Sequence, residues 1–462
     1  MIKQQTSAWG YALIAFSGAL WLYASGVQRR LPADVGDGVQ HFFYAQAVFS
    51  DPLHALNHWA KPLFTLLASP FAQLGFKGMV LFNAGVFWVT ALIARMVLVH
   101  LRTPIAWQAV FPLLLMISGD YVMTVIAGLT EPLFNLVMML AVLFLVRKQT
   151  LAFALAVSFL PYLRSEGQLP VILAVAVLLV LHRAKHLPFL LVGSVIYAVI
   201  GAVVLGDFWW YFTNSPYEAS NAVYGSGSPW HYVISYRNYL DNVGLFMLVI
   251  AVGVFLWKLK QRTFARTDLV VLFFGLGTFF GIIGVHSLLY AKGMYGAYGL
   301  TRLATQGLPV LFLICLWLIG GVAFKQTPWR LAHTRLPLLL VAALALFVAT
   351  THRHDERLKP LPQALIDFPL PEAGKVVYHH PLVPYLAGEN PFTPGSRFIF
   401  WQRSDRLLPA AMQPGDCLVW DAQFGPAEMN LPLDLLMAHP NLELVAQAPL
   451  DGAAVALFRK RE

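Results

Sequence analysis

Apolar segments about as long as a membrane is thick follow one another along most of this 462-residue chain. A helix needs about 20 mostly apolar residues to cross the hydrocarbon core of a bilayer. About eleven segments approach that length: Trp9–Val27, Met79–Val99, Ile105–Ser118, Glu131–Val146, Leu151–Leu163, Leu169–Leu181, Leu187–Leu205, Leu240–Trp257, Leu269–Tyr290, Leu303–Phe324 and Leu336–Thr350. Only 12% of the residues are charged, against about 25% in soluble domains. The pattern predicts an all-α protein that crosses a membrane many times.

Basic residues are unevenly distributed between the predicted loops, and this asymmetry predicts the orientation of the chain. With the N-terminus inside, the inner loops carry most of the lysine and arginine, for example Arg147, Lys148, Arg183 and Lys258, as the positive-inside rule requires. Nearly all of the loop acids then fall outside. We therefore expect a cytoplasmic N-terminus and an extracytoplasmic C-terminus. The net charge of +9 follows from these loops, so it does not indicate binding to nucleic acid.

Three outer segments are long, and the last of them predicts a second domain. Gln28–Gly78 contains Val39–Phe49, expected as an amphipathic helix in the interface, and Pro62–Leu74, expected as an interfacial or re-entrant piece. Gly206–Tyr239 is rich in aromatic residues and glycine. We expect residues 1–351 to form the transmembrane domain and residues 352–462 a small α/β domain outside. Its short apolar runs predict strands at Val376–Tyr378, Cys417–Trp420, Leu442–Ala446 and Ala454–Phe458, and a helix at Leu433–Ala438.

Asp34 and Asp37 follow the first predicted span, with glycines between and after them. Charged residues at membrane depth are costly and mark functional sites by default. The two carboxylates are suited to deprotonating an acceptor hydroxyl or to holding a divalent cation. An ordinary solvated turn, which aspartate and glycine favour, explains the same residues.

Three basic residues at outer ends of spans are candidates for binding a phosphate. Lys61 precedes Pro62 at the mouth of an apolar stretch, where it acts as a point charge for phosphate or extends to the lipid headgroups. Arg164 either faces a phosphate or pairs with Glu166 two residues later. Arg302, at the outer end of the tenth span, is a second phosphate candidate or a plain interfacial anchor.

The remaining candidates line the same outer face. Glu131 opens the fourth span behind Thr130 and ahead of Pro132. A helix start with Thr130 as its N-cap explains these residues as well as a substrate contact does. The residues expected to contact substrate are Glu131, Glu166, His41, His58, Tyr217 and Trp230. Tyr217 and Trp230 lie among glycines, where aromatic rings suit stacking on sugars or form the aromatic belt of a membrane protein.

Taken in order, these residues resemble the motifs of the GT-C superfamily of membrane glycosyltransferases. The branch with the protein O-mannosyltransferases and the bacterial lipid A aminoarabinose transferase is the most similar. The motifs are an acidic stretch from Asp34 to Tyr44, Lys61-Pro62, Thr130 to Phe134 and Arg164 to Gly167. The resemblance covers roughly the first 200 residues motif by motif, and the rest in layout alone.

The resemblance implies an inverting hexosyl or pentosyl transfer in the bacterial inner membrane. The donor would be a polyprenyl-phosphate sugar, and the acceptor a glycan, a lipid or a protein. Asp37, with Asp34 as the alternative, would be the catalytic base, and Lys61 would hold the donor phosphate. The chain departs from the family pattern at Gly38, where many relatives have a second acid, and at Leu63, where they have a second proline. Beyond a divalent cation at Asp34 and Asp37, no cofactor is implied.

Two other functions fit part of the pattern. A lipid or solute transporter, or a flippase, also needs charged groups at membrane depth. Transporters often show repeated halves and charges near the middle of their spans, whereas this chain shows no evident repeat and its charges cluster at outer ends. A subunit for assembly or sensing, with the polar tail as its interaction module, is the third alternative.

Overall fold

The computed structural model describes residues 2–217, 224–322, 360–371, 374–401, 412–448 and 454–461. The part up to residue 322 is helical, because a helix satisfies its own backbone hydrogen bonds where no water is available. Its α-helices are α1 (Ile2–Val27), α2 (Asp37–Ala47), α3 (Pro62–Ala72), α4 (Phe76–His100), α5 (Ile105–Gln108), α6 (Val110–Ile117), α7 (Gly119–Ile126), α8 (Glu131–Val146), α9 (Thr150–Ser158), α10 (Gln168–Val180), α11 (Val192–Val204), α12 (Trp210–Thr213), α13 (His231–Ile234), α14 (Tyr236–Tyr239), α15 (Asp241–Lys260), α16 (Arg266–Lys292) and α17 (Leu308–Val322).

Each of the first ten predicted spans overlaps an apolar helix, but the count of about eleven is not confirmed. In the described residues, five helices are long and apolar enough to cross a membrane: Ala8–Val27, Phe76–His100, Ala184–Val204, Asp241–Lys260 and Arg266–Lys292. The segment Ile105–Ile126 would be a sixth span, bent by 75° at Ser118. The other predicted spans are apolar helices of 10–17 residues. The last one, Leu336–Thr350, lies outside the described residues.

The segment between the first two long spans contains two short helices, α2 and α3, and α2 is largely buried by protein. Nine of its eleven residues are buried, including Val39, Phe42 and Phe43. It packs on α3, and residues of the C-terminal region cover it. An amphipathic pattern places one apolar face against a partner, and here a protein surface takes the place of lipid on that face.

Short helices around residues 158–168 bring a polar turn into the helical bundle. After α9, two 3₁₀ turns, Leu160–Tyr162 and Ser165–Gly167, lead into α10. Gly167 is required here, because a Cβ at this position would lie 2.2 Å from the carbonyl carbon of Leu160. The close backbone approach turns the side chains of Arg164, Ser165 and Glu166 toward the neighbouring helices.

The C-terminal region contains a five-stranded mixed sheet in the order β2-β1-β3-β5-β4. Strand β1 pairs in parallel with β2 and β3, whereas β5 runs antiparallel to both β3 and β4. The strands are β1 (Val376–Tyr378), β2 (Phe398–Phe400), β3 (Cys417–Asp421), β4 (Leu442–Gln447) and β5 (Val455–Lys460). The four predicted strands and the helix, at Leu433–Met437, are confirmed. Strand β2 was not predicted, because its three residues follow a loop rich in proline and glycine.

Loops of the C-terminal region pack directly on α2. The ring of Phe392 stacks on Tyr44 with 4.2 Å between centroids. Asn390 Nδ2 donates to the carbonyl of Phe43 at 2.9 Å, and Phe424 lies beside Gly36. The C-terminal region therefore covers the helix whose first residue is Asp37. The predicted domain boundary, between residues 351 and 352, lies outside the described residues.

Candidate active site

Arg302 joins the two aspartates that follow the first span. It lies in the 3₁₀ turn Thr301–Thr305, ahead of α17. Its Nη1 donates to Asp34 Oδ2 at 2.6 Å, and its Nη2 forms an ion pair with Asp37 Oδ2. Its Nε lies 3.8 Å from Glu131 Oε1. The arginine predicted as a phosphate ligand thus lies between carboxylates.

Backbone contacts fix the loop that carries the two aspartates. Asp34 Oδ1 accepts from the backbone N–H of Gly36 at 2.9 Å and of Gly38 at 3.3 Å. A Cβ on Gly38 would lie 2.3 Å from the carbonyl oxygen of Ala127. A larger side chain at position 38 would therefore collide with this carbonyl, so the close approach requires glycine here. Asp34 is therefore committed to holding the loop, with both of its oxygens engaged.

Buried amides position the turn that carries Arg302. Asn135 of α8 donates through Nδ2 to the carbonyl of Thr305 at 3.0 Å. Its Oδ1 accepts from the backbone N–H of Gly307 at 2.7 Å. Asn135 is fully buried, so these bonds replace the water that both partners lose. The turn before α17 is thereby tied to α8, whose first residue is Glu131.

Arg164 is bonded to two carboxylates from different elements. Its Nη1 lies 2.8 Å from Glu131 Oε1, and its Nη2 lies 3.2 Å from Glu166 Oε1. Thr130 does not cap α8 with its side chain, although this was an alternative from the sequence. Its hydroxyl accepts from Arg164 Nη1 at 2.7 Å instead. Arg164 therefore joins the Thr130-Glu131 motif to the Arg164-Ser165-Glu166 turn.

Glu166 has two further partners that the sequence reasoning missed. His286 Nε2, from α16, lies 3.1 Å from Glu166 Oε1, and Gln306 Nε2 donates to the same oxygen at 3.2 Å. A histidine within an otherwise apolar helix was the available signal for His286. Asp120, the acid of the break between α6 and α7, was also missed. It bonds with Thr301 and interacts with Arg302.

Lys61 is buried, with 4% of its surface exposed, and its nearest polar partners are hydroxyls. Its Nζ donates to Ser165 Oγ at 2.9 Å and to the Tyr217 hydroxyl at 3.2 Å. The Tyr217 ring centroid lies 4.9 Å from Nζ. Burial lowers the pKa of Lys61 to about 7, with Glu166 acting in the opposite direction and Arg164 adding to the lowering. The backbone of Lys61 has φ 69°, a strained left-handed conformation of the kind that clusters at functional sites.

His41 and His58 form aromatic walls of this site. His41 stacks on Trp59 with 4.7 Å between ring centroids, and His58 stacks on Tyr211 with 4.1 Å. Burial, helped by the charges of Arg164 near His41 and of Lys61 near His58, lowers the pKa of each imidazole to about 3. Both rings are therefore neutral at pH 7, where they shape the site without adding charge.

Most of the predicted site residues form one chain of contacts; His58 meets it through its ring contact with Tyr217, and His41 stacks on Trp59 instead. From Asp34 and Asp37 the chain runs through Arg302 to Glu131, Arg164, Glu166 and, by way of Ser165, to Lys61 and Tyr217. Trp230 does not join it and is 66% exposed. Arg302 takes the place between Asp34 and Asp37 that a cation would occupy. In the described parts of the chain, no group of three or more histidine, cysteine or acidic side chains has the geometry of a metal site.

Comparisons with known proteins bear on the fold. No protein-family profile matches the chain, and no curated protein matches it by sequence. Among solved structures, the chain is similar to ArnT from Cupriavidus metallidurans in the apo state, with a TM-score of 0.59 and 14% identity over 98% of both chains. ArnT is a lipid A aminoarabinose transferase of the GT-C type. The similarity over the whole length confirms the resemblance to GT-C membrane glycosyltransferases at the level of the fold.

Proposed function

We propose that this protein is an integral-membrane glycosyltransferase that moves a sugar from a polyprenyl-phosphate donor to an acceptor hydroxyl on the outer face of the bacterial inner membrane. The observation that carries the proposal is the chain of contacts from the half-exposed Asp37 to the buried Lys61. It offers a carboxylate for the acceptor and a cation for a phosphate leaving group within one site. The GT-C fold, shared with ArnT over 98% of both chains, supports the same chemistry.

Lys61 is the residue that we assign to the donor phosphate. Its two hydrogen-bond partners, Ser165 and Tyr217, are neutral, so its charge is available to an anion. Arg164 and Arg302, by contrast, each bond to two carboxylates. A phosphate would have to compete with those acids for either guanidinium. We therefore expect Lys61 to contact the phosphate directly and the arginines to attract it only through longer-range electrostatic interactions.

Asp37 is a better candidate than Asp34 for the catalytic base. Both oxygens of Asp34 are engaged, one by two backbone N–H groups and the other by Arg302. Asp37 meets Arg302 through Oδ2, and its side chain is 43% exposed against 24% for Asp34. An acceptor hydroxyl can therefore approach Asp37 while Arg302 holds the carboxylate in place, as general-base geometry requires.

The proposed reaction is a single displacement. Asp37 takes the proton of the acceptor hydroxyl as that oxygen bonds to the anomeric carbon of the donor sugar. The bond between the anomeric carbon and the phosphate oxygen breaks, and polyprenyl phosphate leaves with its negative charge facing Lys61. Attack and departure on opposite faces of the carbon invert its configuration. The sugar and phosphate would lie beside Lys61, near the rings of Tyr217 and His58.

The test is release of polyprenyl phosphate from a panel of polyprenyl-phosphate sugars by protein reconstituted in lipid. We expect turnover by the wild type and a loss of about 10²–10⁴-fold in Asp37→Asn, the range for removing a general base. Lys61→Ala should raise the KM for the donor. Asp51→Asn is the matched control: this acid of the same segment is 41% exposed, caps a short turn and lies 4.0 Å from His54 Nε2, away from the proposed site. If no donor is turned over while a lipid or solute is moved across the bilayer, the protein is a transporter.

A further inference from the structure

A polar cleft lies where the C-terminal region meets the segment between the first two spans. Its volume is about 650 Å³, which is within the range of ligand sites. Residues at the ends of α2 and α3 form one wall, and the loop between β1 and β2 forms the other. The lining residues are Gln46, Phe49, Ser50, Gln73, Gly388, Glu389, Asn390, Thr393, Pro394, Gly395 and Ser396.

Hydrogen bonds join the two walls of the cleft. Asn390 Nδ2 donates to Gln46 Oε1 and to the carbonyl of Phe43, both at 2.9 Å. Asn390 Oδ1 accepts from the backbone of Phe392 at 2.9 Å. On the other side, Gln73 Nε2 donates to the carbonyl of Gln46 at 3.1 Å. The amides are therefore held in position before any ligand binds, which lowers the entropy cost of binding.

Uncharged donors and acceptors dominate the chemistry of the lining. The amide nitrogens of Asn390 and Gln73 already donate twice within the protein. The amide oxygens and the hydroxyls of the lining can still accept from a ligand rich in hydroxyl groups. The ring of Phe49 is 66% exposed at the edge of the cleft, where it can cover an apolar face of a ring. Glu389 is the one charged side chain among the lining residues, and Arg397 Nε donates to it at 2.9 Å. This combination suits a neutral carbohydrate and disfavours a phosphorylated one.

The cleft and the proposed base lie at opposite ends of one helix. Asp37 is the first residue of α2, and Gln46 is the last but one. With a rise of 1.5 Å per residue, nine residues separate the two by about 14 Å along the helix axis. A glycan in the cleft would need several sugar residues to reach Asp37, because it has to pass the loop residues Asn390 and Phe392 that cover α2.

We propose that this cleft binds the uncharged oligosaccharide part of the acceptor, so that a terminal hydroxyl reaches Asp37. The proposal rests on the transferase function given above and names its acceptor class as a neutral glycan of several residues. The cleft is a recognition site separate from Lys61 and the donor. Glycan binding can therefore be measured without donor or turnover.

The test is binding of neutral oligosaccharides to purified full-length protein in detergent, measured by calorimetry and saturation-transfer NMR. The probes are gluco-, manno- and N-acetylglucosamine oligomers of one to six residues, each also with one phosphate group. We expect saturable binding that tightens with oligomer length and weakens at least fivefold when the phosphate is added. Phe49→Ala and Gln73→Ala should each weaken binding about tenfold. Leu53→Ala, 48% exposed in the same segment but outside the cleft, should leave it unchanged.

Three results would overturn the inference: no saturable binding of any neutral oligomer by folded wild-type protein, equal or tighter binding of phosphorylated oligomers, or unchanged binding in both cleft variants. Thermal unfolding of each variant checks that the fold is intact. Donor turnover is measured separately. Turnover without glycan binding would reject the cleft and keep the transferase. Glycan binding with the expected variant pattern, but without turnover of any donor, would keep the glycan site and reject the transferase.

Discussion

The arginines and the lysine of the site belong to one chain of contacts, but different groups surround them. The arginine cluster, made of Arg164, Arg302 and the acids that they contact, pairs each guanidinium with two carboxylates. The lysine pocket, made of Lys61, Ser165, Tyr217 and His58, surrounds its cation with hydroxyls and rings. The first region is neutralised by its own carboxylates, whereas the second holds a buried amine that is not paired with a carboxylate and has a pKa of about 7. The contrast suggests that the arginines hold the site together and that the lysine receives the substrate anion.

The largest effect that we expect is on stability, from Arg164→Met. Glu131 is 1% exposed, and without Arg164 its nearest cation is Arg302 Nε at 3.8 Å. Removing one partner of a buried ion pair costs about 3–5 kcal/mol, and the longer contact with Arg302 offsets only part of that loss. Denaturant unfolding in detergent measures this loss. The double variant Arg164→Met with Glu131→Gln should recover a large part of it, because the unpaired charge is then absent. A loss below about 1 kcal/mol, the scale of exposed pairs, would contradict the structural role of the arginine cluster.

The second prediction concerns the pH dependence of the lysine pocket. Burial lowers the pKa of Lys61 to about 7 in the folded protein, and an anionic phosphate binds the protonated amine. The apparent Kd for a polyprenyl-phosphate sugar should therefore rise by up to about tenfold per pH unit above pH 7, as a one-proton equilibrium requires. In Lys61→Met, donor binding should be weaker at pH 7 and should lose this steep dependence. Lys77→Met, an exposed lysine at the start of α4, is the control.

The lowered pKa of Lys61 also predicts how the stability of the protein changes with pH. Between pH 7 and the unfolded value of 10.5, the unfolded state binds a proton at Lys61 that the folded state does not bind. The contribution of Lys61 to the free energy of unfolding should therefore rise with pH in this window. Subtracting the Lys61→Met profile from the wild-type profile isolates this contribution. A difference that does not change with pH would mean that the pKa of Lys61 is unshifted, and one that falls with pH would mean that the folded state raises it.

The sequence predicted the parts of this site better than their contacts. Asp34, Asp37, Lys61, Glu131, Arg164 and Arg302 were recognisable because charges are rare in so apolar a chain. The pairing of Arg302 with the two aspartates joins residues 265 and 268 positions apart, and no local pattern specifies such a contact. His286 was missed because a single histidine in a helix has no periodic signal. The burial of α2 was missed because the region that covers it begins more than 300 residues later.

The smallest effect that we expect comes from Tyr217→Phe in the lysine pocket. The change removes the hydroxyl that accepts from Lys61 Nζ at 3.2 Å and leaves the ring whose centroid lies 4.9 Å from the amine. A hydrogen bond to a charged group contributes about 1.5–3 kcal/mol. The donor phosphate can take the place of the lost hydroxyl on Lys61 Nζ, so the net loss of binding free energy should be smaller than this range. Donor affinity should therefore fall by only a few fold, since about 1.4 kcal/mol corresponds to tenfold. Tyr217→Ala also removes the ring and should have the larger effect. Equal effects of the two variants would show that the hydroxyl carries the interaction, and the lysine pocket would then resemble the arginine cluster in depending on direct polar bonds.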